Sequence, residues 1–246
     1  MKRLTLLCIF WAAAGLVRAD GVIEINQACV DIGCFEGDSA GFPIRIRQSG
    51  SYRLTSDIDT DAALTQAIEI QGDGVTLDLN GYTVRGRQSC QYDQNSSEVR
   101  CDLQEDLVNN MIRAFGTGHT IRNGSVRGAL GTGISLGGAE PGGPHLVENV
   151  HLSENGSRSL RAEGDGPITQ GAGIDVAPNK SALIRNCTSS LTARGFAGSE
   201  HTRFQGNLSD QTQAQGFDTG VCSDNTVSRS GGVAYTNCAD LGGNSP

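Results

Sequence analysis

Three residues carry the most suggestive chemistry: Asp175, Arg194 and Asp218. They sit in or beside three copies of one short phrase, Gly173-Ile174-Asp175, Gly195-Phe196-Ala197 and Gly216-Phe217-Asp218, and from Phe196 to Phe217 is 21 residues. If Ile174, Phe196 and Phe217 face inward on neighbouring strands, alternation of side chains turns Asp175 and Asp218 outward on one sheet, with Ala197 between them. Two strand steps separate the carboxylates by about 9–10 Å of backbone. That is near the separation of the carboxyl pair in an inverting glycosidase, so the two could flank a sugar. Arg194 lies at the end of the same strand. The bland alternative is two surface acids among 27 that share a face by chance.

This placement requires a repeat, and the chain has one. Residues 79–86 read LNGYTVRG and residues 121–128 read IRNGSVRG. Asn80, Asn123, Asn149, Asn186, Asn207, Asn225 and Asn237 recur in short apolar–polar phrases. They interleave with a second series of apolar residues after glycine: Ile134, Ile174, Phe196, Phe217 and Val233. From Asn123 onward the offsets between the two series are 11, 25, 10, 10 and 8. Each segment alternates for only three to five residues, as in Val75, Leu77 and Leu79, so the units are strands and the glycines mark corners. A period near 21 predicts coils of three strands and three turns, each laid on the one before. The spacing predicts an all-β chain, a single-stranded parallel β-helix (solenoid) of about six to eight short coils; its right-handed sense is what the resemblance given next implies. It places the two copies of the opening phrase about two coils apart. The recurrent Asn read as a buried amide ladder that satisfies corner backbone groups. Sequons at Asn123, Asn186 and Asn207 would then be inaccessible.

The stretches GVTLDLNGYTVRG and HTIRNGSVRGALGTGISL resemble secreted right-handed parallel β-helix repeat proteins of the pectate-lyase-like superfamily. The opening GSYRLTSDI, residues 50–58, is similar to a first coil of that group. The resemblance spans about Pro43 to Asn237. For activity it implies a polysaccharide lyase or epimerase, with Ca²⁺ holding a substrate carboxylate and an Arg or Lys as base. Asp175 and Asp218 would then hold the metal and Arg194 would take the proton. The Asp-Pro-His of alginate epimerases and the close Asp-Asp of polygalacturonases are absent. The alternative reading is a non-catalytic structural, adhesive or surface-presentation protein.

Residues 1–19 read as a signal peptide: a basic start, an apolar run too short to span a membrane, and small residues before Asp20. Its removal takes Lys2, Arg3 and Arg18, so the formal charge of −8 becomes −11. An acidic chain without Lys/Arg clusters argues against nucleic acid as a partner. Extracellular polysaccharide is the expected partner, the location secreted or periplasmic, and no membrane span is expected. Residues 20–42 read as an N-terminal cap on the β-helix, and residues 43–246 as the β-helix itself. Insertions at 87–110 and 153–170 leave from the same corner and read either as walls flanking the sheet that carries Asp175 or as tolerated surface loops, and the first is also close enough to a period in excess length to hold one irregular extra coil. Of seven remaining cysteines, sequence proximity pairs Cys29 with Cys34 and Cys90 with Cys101. Cys222 and Cys238, about one short coil apart, pair next, which leaves Cys187 as a buried free thiol. His119, His145, His151 and His201 fall on different phases of a 21-residue period, so stacking builds no His pair. Of these, His119 opens a strand and caps a turn.

Overall fold

A computed structural model of the chain describes residues 21–60, 66–96, 98–102, 109–138, 142–159 and 168–246. The predicted signal peptide lies outside the described residues.

Among the described residues the chain is all-β apart from one short helix, Gln27–Val30, and most of the strands pair in parallel within one large sheet system. The pairing resolves into three columns. In the first, Ile44–Ile46, Ile68–Ile70, Ile112–Ala114, Ile134–Leu136, Ile174–Val176, Phe196–Ala197, Phe217–Ser223 and Tyr235–Asp240 follow one another in register. In the second, Tyr52, Leu77, Ile121, Val147, Ile184, Phe204 and Cys222 are successive partners. In the third, Ile58, Val84, Val126, Leu152, Ser189, Ser209 and Val227 are. Successive passes of the chain add to the columns in the same order, and Phe217–Ser223 and Tyr235–Asp240 each run from the first column into the second as one strand.

The core is the inward row of each column. Ile174, Phe196 and Phe217 are direct partners and fully buried. The Phe196 and Phe217 rings stack at 5.0 Å, Phe217 and Tyr235 at 5.3 Å, and Phe204 meets Phe217 edge-on at 5.5 Å. Stacked aromatics here supply the bulk that the 5% aromatic composition distributes thinly elsewhere. On the solvent side of the second column, Glu24, Arg53, Asp78, Arg122, Glu148 and Arg185 alternate in sign from coil to coil. Arg122 Nε lies 3.2 Å from Asp78 and Arg185 Nη2 2.6 Å from Glu148. Opposite charges at the strand spacing favour this register over a slipped one.

Three expectations need correction. First, the two copies of the opening phrase lie on adjacent coils, since Asp78 pairs directly with Arg122 and Arg85 with Arg127. The intervening residues form no extra coil: Cys90–Asp93 and Glu98–Cys101 make an antiparallel hairpin outside the column. Second, the recurrent Asn fall into separate sets. Asn80, Asn123, Asn149 and Asn186 are left-handed corner residues, with φ of 53°, 58°, 55° and 53°. Their short polar side chain tolerates that conformation, and Asn80, Asn149 and Asn186 are exposed. The left-handed position in the next two coils passes to Gly206 and Asp224, and Asn207 and Asn225 occupy the following, inward position. There the buried ladder forms: Asn207 Nδ2 donates to Ile184 O at 2.9 Å and to Asn225 Oδ1 at 3.0 Å, and Asn225 Nδ2 donates to Asn244 Oδ1 at 3.1 Å. Asn237, whose coil neighbour is Thr219, belongs to a different corner. So of the three sequons named above, only Asn207 is inaccessible. Third, His119 and His145 share one phase and stack, as described below.

The three disulfides are those expected, Cys29–Cys34, Cys90–Cys101 and Cys222–Cys238, and Cys187 is a buried free thiol. Burial pushes the Cys187 thiol up to about 12, which leaves it uncharged and inert.

Candidate functional site

Alternation along the first column sets the site. Ile174 and Phe217 turn into the core, so their neighbours Asp175 and Asp218 turn out, with Ala197 on the intervening strand. The Arg194 side chain leaves from the corner just before this strand. The corner is tight: a Cβ at Gly195 would sit 2.2 Å from Ser209 Oγ and 2.4 Å from Gly216 O, so only glycine lets the coils close there.

Arg194 Nη1 lies 3.8 Å from Asp218 Oδ2, and Arg194 Nε donates to Gly171 O at 3.4 Å. Asp218 also accepts from its neighbour Thr219 Oγ1 at 3.1 Å. Both ends of the ion pair are about three-quarters covered, with 27% and 24% of their side chains exposed. Among the described residues Asp175 carries no ion pair of its own. Burial raises its pKa; Arg194 opposes that rise and Asp218 adds to it. The three residues predicted from spacing are therefore brought together, but in unequal roles. Asp175 is a half-buried carboxyl biased toward its protonated form. Arg194 is a fixed cation, since a guanidinium stays protonated at any ordinary pH. Such a trio can exchange a proton through Asp175 and hold an anionic group with Arg194.

The donor set does not fit a calcium ion. Calcium takes six to eight oxygen ligands. Here two carboxylates stand two strands apart and one is already bound to a guanidinium. Among the described residues no group of three or more His, Cys, Asp or Glu is placed to hold a metal.

Both insertions leave between the third column and the first, and they meet: the strand Glu98–Cys101 of the first lies beside Ser157–Ser159 of the second. The hairpin 90–101, closed by Cys90–Cys101, lies against the third column: Cys90 N donates to Glu154 Oε2 at 3.3 Å, and Arg229 covers the Tyr92 ring at 5.9 Å. A cleft of about 500 Å³ forms at the hairpin itself, beside Tyr92 and Arg100. In the second insertion, Ser157–Ser159 pairs antiparallel with Ile168–Gln170, and the chain re-enters the stack at Gly171, whose carbonyl receives Arg194. This insertion adjoins the site. A second cleft of about 710 Å³ lies on the other side of the first column, between Gly142, Pro144, Asn179 and His201.

Counting by 21 missed a second constellation. His119 and His145, 26 residues apart, are coil neighbours; both are buried, and their rings stack at 5.1 Å between centroids. The signal was present, since each directly precedes an apolar strand of the second column (His119-Thr120-Ile121 and His145-Leu146-Val147). The longer turn between them hid the shared phase. Lys180, also buried, donates from Nζ to Gly116 O at 3.0 Å beside them.

The chain matches no protein-family model and no curated protein. Among the described residues no helix is long and apolar enough to cross a membrane.

Proposed function

We propose that this chain is an exported right-handed parallel β-helix, akin to the pectate-lyase-like superfamily, that acts on an extracellular polysaccharide carrying acidic groups. Residues 20–42 close one end of the stack. The three columns of in-register parallel strands support the fold reading, and three disulfides support an oxidising location. The observation that carries the activity is Asp175: a carboxyl with a raised pKa, on the outward row of a regular sheet, beside the Arg194–Asp218 pair. In this reading Asp175 transfers the proton and Arg194 anchors a sugar carboxylate. Asp218 holds Arg194 in place. No metal takes part, so activity survives a chelator.

The test incubates the protein with a panel of polyuronates and neutral polysaccharides, with calcium and with EDTA. It follows unsaturated products, reducing ends and epimer ratio. Asp175→Ala should lower the rate at least about 100-fold, the usual scale for removing a general acid or base. Asp93→Ala, in the hairpin, should leave it unchanged. No turnover and no glycan binding would end the reading, and a strict calcium requirement would remove the metal-free chemistry.

A non-catalytic role in surface presentation is the second reading. The hairpin 90–101 favours it: it is an ornament on the stack, fastened by a disulfide and held against the third column.

A further inference from the structure

The stacked histidines occupy the inward position where the turn from the first column enters the second. Thr120 pairs with Thr76 on one side and with Leu146 on the other, so Val75, His119 and His145 stand on successive coils. Their hydrogen bonds run in one direction. The Val75 N–H donates to His119 Nδ1 at 3.4 Å, and the His119 N–H donates to His145 Nδ1 at 3.3 Å. Each ring thus accepts the backbone amide of the coil before it. An Nδ1 that accepts carries no proton, so a neutral ring must carry its proton on Nε2. For His119 that Nε2–H points at Phe115 O. For His145, Nε2 is buried without a partner among the described residues.

We propose that His119 and His145 form a proton-sensitive latch: neutral, they tie three coils together at this corner, and protonation of either ring releases it. Protonation places a hydrogen on Nδ1, where it meets the incoming amide N–H. Two donors then face each other in a buried site, and the bond between coils is lost. The surroundings make the new charge costly. The groups facing the rings are each other, Lys180 from the following coil, and Asp73 from the preceding one. The carboxylate of Asp73 already accepts from Thr117 N and Oγ1, at 2.8 and 3.3 Å, and among the described residues no carboxylate pairs with Lys180. Burial first, then His119 and Lys180, push His145 down to about 4. Burial likewise lowers His119, against the Phe115 carbonyl and Asp73, with Lys180 adding to the lowering. The cleft of about 710 Å³ beside Gly142, Gly143 and Pro144 lies over this corner, so release would reshape its wall while the rest of the stack stays folded. The latch is independent of the chemistry proposed for Asp175.

Amide hydrogen exchange tests it on the intact protein at pH 7.5 and pH 5.0, each rate corrected for its intrinsic pH dependence. With His145 at about 4 when closed and at its ordinary 6.5 when open, opening is favoured about 30-fold more at pH 5.0. Protection at the Val75 and His119 amides should fall by about that factor. The Leu208 and Phe217 amides, bonded to Cys187 O and Ala234 O far along the stack, should hold. Equal loss everywhere, or no loss at Val75 and His119, overturns the latch. In His145→Gln, whose amide oxygen can accept without titrating, the step at the His119 amide should shrink to what the His119 ring alone contributes; an undiminished step at that amide in the variant overturns it. ¹⁵N spectra of the wild-type imidazoles give a readout that needs no variant. At pH 7.5 both rings should be Nε2–H tautomers, and an Nδ1–H tautomer in either overturns the proposal.

Discussion

Replacing Asn225 by alanine should separate the buried amide ladder from the corner asparagines. Asn225 is fully buried, and its side chain makes four hydrogen bonds. Its Oδ1 accepts from Asn207 N and Asn207 Nδ2, both at 3.0 Å, and its Nδ2 donates to Phe204 O at 3.0 Å and to Asn244 Oδ1 at 3.1 Å. Two of the partners keep a second bond: Asn207 Nδ2 still reaches Ile184 O, and Asn244 Oδ1 still accepts from Asn225 N. The Asn207 N–H loses its acceptor and the Phe204 carbonyl loses a donor, each in a buried site. At about 2 kcal/mol for each such group, Asn225→Ala should cost about 4 kcal/mol. Asn186→Ala is the comparison. That side chain is exposed, and the loss is the strain of alanine at φ 53°, about 1 kcal/mol. Urea unfolding followed by circular dichroism measures both, with the slope held common to the three proteins. A loss below 1 kcal/mol for Asn225→Ala, or one no larger than for Asn186→Ala, would refute the ladder.

Asp175→Asn should stabilise the protein at pH 7 while abolishing activity. The folded pKa of Asp175 lies above its unfolded value, so its favourable protonated state is complete below the unfolded pKa and is lost as pH rises through the folded one. At neutral pH the charged form is penalised, and asparagine removes that penalty; a lowered thermal midpoint would contradict this. Phe217→Ala removes the ring that touches Phe196, Phe204 and Tyr235 and should cost about 3–5 kcal/mol by the same urea assay. The Cys187 thiol, buried and held near 12, should resist a thiol reagent in the native protein and react only on unfolding; rapid native labelling would place it at the surface.

The coil period was legible because inward residues must recur wherever strands stack, and Ile174, Phe196 and Phe217 do. Local disulfides were legible because chain proximity leaves few alternatives. What counting could not resolve was a shift of one residue. When the left-handed corner passed from Asn186 to Gly206, the next asparagine moved inward, and Asn207 came to look like one more member of the corner series. The histidine pair was hidden for a related reason: turns differ in length while strands keep register, so phase is conserved along a strand but not through a corner. The Asp175, Arg194 and Asp218 cluster was readable because all three lie within or next to one strand position. The raised pKa of Asp175 was not, since it depends on how neighbouring coils cover that carboxyl.

Asp175 carries the proposed chemistry most directly. ¹³C NMR of the aspartate side chains across pH 3 to 8 should show its carboxyl titrating above the ordinary aspartate value of about 4. The midpoint should move further up in Arg194→Gln and down in Asp218→Asn, following the two charges beside it. A midpoint at or below the ordinary value, or one indifferent to both substitutions, would contradict the site and the chemistry drawn from it.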